Sequence, residues 1–142
     1  MKKTTLILLA ILCTITMKAQ NLYFKHLGTE DGLSQVRTQA IYQDETGAVW
    51  IGTAEGLSRY NGTSVKTYSL PDSLLSLSSG GIDQLCGNKQ GKIYLLSQGT
   101  ATEFDISKEK FRLFAQDIRS IFCEKDTLWT ASKDGTTPRK AW

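Results

Sequence analysis

An all-β chain of repeated four-stranded sheets is the fold class that the sequence predicts, and three observations predict it. First, a stretch recurs: Ile41–Asn61, IYQDETGAVWIGTAEGLSRYN, aligns without a gap over Leu85–Asp105, LCGNKQGKIYLLSQGTATEFD, at a period of 44 residues. Second, each copy consists of short β-branched and aromatic segments cut by turn residues, with no helical period. Third, bulky side chains sit on neighbouring strands of each unit, Trp50 and Tyr60 in the first copy, where one sheet cannot bury them alone. Four-stranded units that repeat every 36–44 residues and need a sheet against each face are the pattern of a β-propeller. About two and a half blades are expected in this chain.

The elements follow in order. Residues 1–19, MKKTTLILLAILCTITMKA, carry two lysines, a short apolar run and a small-residue end, the order of a secretory signal. The apolar run is too short for the roughly 20 residues of a spanning helix. Residues 20–35 are expected to hold a lone outer strand, Leu22–Leu27, and a linker. Blade 1 covers residues 36–78, with its second strand at Val49–Thr53, its third at Leu57–Tyr60 and its fourth at Val65–Tyr68. Asp44 and Gly47 close its first hairpin, Gly56 its second turn, and Asn61-Gly62 its third. Asn61-Gly62-Thr63 also spells a glycosylation sequon, but Asn-Gly is sufficient as a turn.

Blade 2 covers residues 79–116. Gly91 falls on Gly47, Tyr94 on Trp50, and Phe104 on Tyr60. Residues 117–142 form a partial third blade, IFCEKDTLWTASKDG, in which Trp129 falls on Trp50 and Gly135 on Gly56 after one deletion. Pro138 removes a backbone donor where a central strand is expected, so the tail TTPRKAW reads as foreign to the repeat.

Charge excludes one class of partner. The 17 basic residues exceed 14 acidic ones only through Lys2, Lys3 and Lys18 of the signal segment; without it the chain is near neutral. No basic patch with interleaved aromatics is present, so contact with nucleic acid is not expected. Cys86 and Cys123 lie in no metal-ligand spacing. One follows an inner-strand apolar residue by one position and the other by two. They are therefore expected to point to opposite sheet faces and to stay unpaired.

The quoted residues resemble a known family. GTEDGLSQ, then QDETGAVWIGT including Gly52, then GLSRYNG, and later DSLLSLSS are similar to two-component regulator propeller repeats. The resemblance covers about Leu22 to Gly135. It implies an exported propeller facing the periplasm, the amino-terminal sensor of hybrid two-component systems in gut Bacteroidetes. Full-length members add a membrane helix, a histidine kinase, a receiver and a DNA-binding domain. Oligosaccharide ligands, control of polysaccharide-utilisation genes and a dimer in the full-length context are implied with it. Its partners would be the remaining blades or the downstream signalling domains. No cofactor is implied. The alternatives are a secreted carbohydrate-active propeller enzyme and a truncated product with no independent function.

Candidate site residues are few. Trp50, Tyr94 and Trp129 would suit stacking on sugar rings, but a position repeated in every unit reads as core. His26 has no nucleophile in a recognised motif, and Glu30-Asp31 reads as a turn rather than an acid/base pair. Arg37, Asp83 and Arg119 flank inner strands near the expected mouth of the propeller and are the ligand-binding candidates. No catalytic or metal-binding set is expected.

Overall fold

Why the first hairpin of the first two units closes where it does is visible in one side chain of each. In the computed structural model, which describes residues 24–71, 74, 81–132 and 134–140, Asp44 accepts hydrogen bonds from the amides of Thr46 and Ala48. Gly47 takes the positive φ, +83°, that the turn demands. Asn88 and Gly91 repeat the device: the Asn88 carboxamide oxygen accepts from Gln90 and Lys92, and Gly91 has φ +77°. Between such turns the β-branched and aromatic segments pair antiparallel. Blade 1 comprises β1 (Thr38–Gln43), β2 (Val49–Thr53), β3 (Leu57–Tyr60) and β4 (Val65–Tyr68). Blade 2 comprises β5 (Gln84–Gly87), β6 (Lys92–Ser97), β7 (Thr100–Asp105) and β8 (Lys110–Ala115). Blade 3 comprises β9 (Ile118–Glu124), β10 (Thr127–Ser132) and β11 (Gly135–Lys140). Each sheet is a meander in sequence order. The first strands touch one another from sheet to sheet, β1 to β5 and β5 to β9, so they lie at the hub of an arc. The chain is a partial β-propeller.

Two apolar layers hold the arc. Between blades 1 and 2, Trp50 and Leu57 meet Ile82, Ile93, Leu95 and Phe104, with Tyr42, Tyr68 and Leu85 at the margin. Between blades 2 and 3, Cys86, Tyr94, Leu96 and Ala101 meet Ile118, Ile121 and Leu128. Along β5 and β6 alternate residues therefore serve opposite layers: Leu85, Ile93 and Leu95 face blade 1, while Cys86, Tyr94 and Leu96 face blade 3. The layer is tight at Gly52, where an added Cβ would lie 2.7 Å from Ile82 Cγ2. Gly52→Ala is accordingly expected to lower stability by about 1–3 kcal/mol through overpacking. Chemical denaturation would show it, and an unchanged midpoint would contradict the close approach.

Two expectations are overturned. Cys86 and Cys123 form a disulfide, with Cα atoms 5.6 Å apart. The opposite-face placement is right, since Cys86 pairs with Tyr94 while Cys123 pairs with Leu128 rather than Trp129. The inference from it was wrong. In a stack, the forward face of one sheet meets the backward face of the next, so residues on opposite faces of neighbouring blades confront each other. The tail is not foreign to the sheet either: residues 135–140 form β11, with Pro138 opposite Trp129. Proline is tolerated because β11 lies at the edge of its sheet among the described residues. The residues assigned to a signal segment lie outside the described ones. Of the expected outer strand Leu22–Leu27, residues 24–27 are described and enter no ladder.

Candidate functional site

The inner strands present one repeated position to the same end of the arc. Counting back from the apolar residues Ile41, Leu85 and Ile121, that position holds Gln39, Asp83 and Arg119. Gln39 and Arg119 both fall at a register shift, between Thr38 and Ala40 against β2 and at the corresponding place of β9 against β10. Such irregularities re-aim a side chain out of the alternating pattern. Asp83 sits just ahead of β5; its amide donates to the Leu96 carbonyl at 2.8 Å and its Oδ2 accepts from the Gln98 amide at 3.2 Å. All three residues are exposed.

Backbone bonds between blades fix this end. The Ile82 amide donates to the Thr53 carbonyl at 3.1 Å, and the Ile118 amide to the Gly99 carbonyl at 2.9 Å. Gln84 adds a third tie, its Oε1 accepting from the Ile121 amide at 2.9 Å and from Ser120 Oγ at 3.1 Å. Arg119 lines a shallow cleft of about 370 Å³ with Gly99, Asp117, Ile118 and Asp134. Arg37 is exposed one residue before β1 and is not at the repeated position. Of the three candidates named from the sequence, Asp83 and Arg119 lie at this repeated position, and Arg37 lies two residues ahead of Gln39, which holds it in blade 1 and stands 44 residues before Asp83.

The other repeated residues are structural. The Trp50 ring is fully buried, and its Nε1 donates to Asp44 Oδ2 at 2.8 Å. Partial burial works to raise the Asp44 pKa, but the Thr46 and Trp50 donors and two backbone amides outweigh it and hold the carboxyl below its usual value. Arg59 lies over the indole, 5.4 Å from the ring to Cζ. In blade 2, Tyr94 is fully buried, and burial together with the neighbouring Glu103 carboxylate pushes its hydroxyl pKa up. Glu103, buried in β7, pairs with Lys92 and Arg112 at 3.1 Å each. Trp129 is only half-buried. Gly56 (φ +150°) and Gly135 (φ +137°) occupy conformations that disfavour a side chain. The DGLS stretch crosses the face of blade 1 turned away from blade 2. There Ser34 Oγ bonds Thr53 and Ser58, Ser58 bonds Thr67, and Thr67 donates to the Gly32 carbonyl at 2.7 Å. Glu30 and Asp31 lie in a short 3-10 turn, and the Asp31 carboxylate accepts from the Gly28 amide. Among the described residues no group of histidine, cysteine, aspartate and glutamate is placed to hold a metal, and no helix is long and apolar enough to cross a membrane.

Comparison with known proteins agrees with this geometry. Residues 32–55, which span the GLS part of the crossing, β1, β2 and the turn ahead of Gly56, match the family described as two component regulator propeller. A 56-residue stretch is 43% identical to Histidine kinase P4 of Formosa agariphila, covering 38% of this chain and 4% of that protein. Two solved extracellular domains from B. thetaiotaomicron share the fold. One, assigned to a hybrid two component system, is 23% identical with TM-score 0.60, covering 75% of this chain and 17% of that one. The other, assigned to a one component system, is 19% identical with TM-score 0.62, covering 82% and 17%. The chain therefore spans a small part of each relative's length.

Proposed function

We propose, from the premise that the chain carries the two-component regulator propeller repeat, that it is a ligand-sensing propeller segment of an exported two-component regulator. The match of residues 32–55 carries this reading, because the same residues build the first two strands of blade 1 and part of the crossing that precedes them. The ligand class is oligosaccharide, and the output is control of polysaccharide-utilisation genes through a kinase elsewhere in a longer protein. The segment itself binds and does no bond chemistry. A periplasmic setting is supported by the Cys86–Cys123 disulfide, since such bonds persist in oxidising compartments.

Gln39, Asp83 and Arg119 supply what sugar hydroxyls need, a neutral amide, a carboxylate acceptor and a forked donor, on one end of the arc. Calorimetric titration of the chain with a panel of neutral and acidic oligosaccharides tests the reading. Asp83→Ala and Arg119→Ala are each expected to weaken binding about tenfold, the worth of one charge-assisted hydrogen bond. Arg37→Ala is expected to change it little. No binding at millimolar sugar, or variants that bind like the parent, would remove the oligosaccharide assignment.

A further inference from the structure

A second cleft lies between blades 1 and 2, at the end of β5 opposite Asp83. It opens where the first hairpins of the two sheets stand side by side, Asp44 to Thr46 on one wall and Asn88 and Lys89 on the other, and its volume is about 280 Å³. Both sheets are four-stranded. Ile93 and Ile106 give the cleft an apolar lining, and Arg59 enters it from β3. Lys89 and Glu45 join the two walls, Nζ to Oε1 at 3.4 Å, and both side chains are exposed. The size is at the small end of ligand clefts, which run from about 300 to 1,000 Å³.

Arg59 is the under-bonded charge of this cleft. Its Nη2 stands 3.5 Å from Thr46 Oγ1 and 3.9 Å from Asp44 Oδ2, both at the outer limit of a polar contact. Its Nε–H is buried and has no hydrogen-bond partner among the described residues. Asp44 is taken up by other donors: Oδ1 accepts from the Thr46 amide, the Thr46 hydroxyl and the Ala48 amide, and Oδ2 from the Trp50 indole. Glu45 is occupied by Lys89. The stack on Trp50, 5.4 Å from ring to Cζ, fixes the plane of the guanidinium, so its donors are set before a ligand arrives. A desolvated donor without an acceptor is costly, and an added oxyanion relieves that cost.

We propose that this cleft binds a monocarboxylate with a compact body, its two oxygens on the Arg59 guanidinium and its carbon frame against Ile93 and Ile106. A carboxylate presents paired acceptors that match the planar fork of a guanidinium, and a neutral hydroxyl does not. The lining holds two cations, Arg59 and Lys89, and two carboxylates, Asp44 and Glu45, so a dianion is disfavoured. A sugar acid and a short aliphatic acid share the required chemistry. Asp83 and Asn88 flank β5 at its two ends, so the site is separate from the mouth of the propeller and does not rest on the oligosaccharide reading.

Calorimetric titration of the purified chain with glucuronate, isobutyrate and glucose tests this. At least one of the two carboxylates is expected to bind with a Kd of about 1 mM, and which of them binds tells a sugar acid from an aliphatic one. Glucose, the uncharged counterpart of glucuronate, is expected to bind at least tenfold more weakly. Arg59→Gln keeps a polar side chain at the same place and is expected to weaken carboxylate binding at least tenfold, with far-ultraviolet circular dichroism checking that the β spectrum is kept. Glu45→Gln is an exposed substitution that removes a negative charge and frees Lys89; it is expected to tighten binding about threefold. Asp83→Ala and Arg119→Ala, at the other end of β5 and on β9, are expected to leave it unchanged. No carboxylate binding at about 10 mM would overturn the proposal, as would glucose binding as well as glucuronate, or weaker binding by Glu45→Gln. Affinity that survives Arg59→Gln but is lost in Asp83→Ala or Arg119→Ala would move the carboxylate to the mouth and remove this site.

Discussion

Trp50→Ala is expected to cost about 3–5 kcal/mol, the range for removing a buried aromatic side chain. The ring is fully buried, 5.9 Å from Tyr68 and 5.7 Å from Phe104 between centroids. Its removal would also leave Asp44 Oδ2 without the indole donor. Against a typical stability of 5–15 kcal/mol, a loss of that size depletes the folded population heavily. Trp129→Ala is the comparison, because Trp129 occupies the same repeat position on a face with no further sheet among the described residues. Its loss is expected to be about 1 kcal/mol or less. Urea denaturation followed by fluorescence reads both variants. Equal losses at the two tryptophans would show that stacking between sheets is not what stabilises the repeat position. Trp50→Phe separates the terms further: most of the packing survives, and only the Asp44 bond is lost.

Much of this arrangement is legible in the residues. The bounds of β2, β3 and β4 can be read directly because turn residues punctuate them: Asp44 to Gly47 before β2, Gly56 before β3, and Asn61-Gly62 before β4. The stacking of sheets follows from bulky residues that recur where one sheet cannot cover them. What escapes the sequence depends on relations between blades. The disulfide requires knowing that neighbouring sheets meet through opposite faces, which no pattern within one repeat states. The pairing of Pro138 depends on β11 being an edge, which is a property of what lies beside it. The irregular register at Gln39 and Arg119 is likewise a product of strand pairing, not of the linear pattern. Glu103 is buried between Lys92 and Arg112, cations that a linear reading places on separate strands without a reason to converge.

Breaking the link between Cys86 and Cys123 is expected to be the other large perturbation. The two residues are 37 apart in sequence and sit on different blades. Closing a loop of that size restricts the unfolded chain, and in the chain-entropy account this is worth about 4 kcal/mol, within the usual 2–4 kcal/mol delivered. The effect should be local before it is global. Blade 3 has one neighbouring sheet among the described residues, and the layer between blades 2 and 3 is smaller in aromatic content than the layer holding Trp50, Tyr68 and Phe104. Reduction with a phosphine, or the Cys86→Ala/Cys123→Ala double variant, should therefore expose β9 to β11 to protease at concentrations where blades 1 and 2 resist. Under non-reducing conditions, mass spectrometry of the oxidised chain should find the Cys86 peptide linked to the Cys123 peptide. Two free thiols in the chain purified under oxidising conditions would refute the link. A linked chain whose blade 3 remains protected after reduction would show that apolar packing alone holds that blade, and that the covalent tie adds stability without setting the order of unfolding.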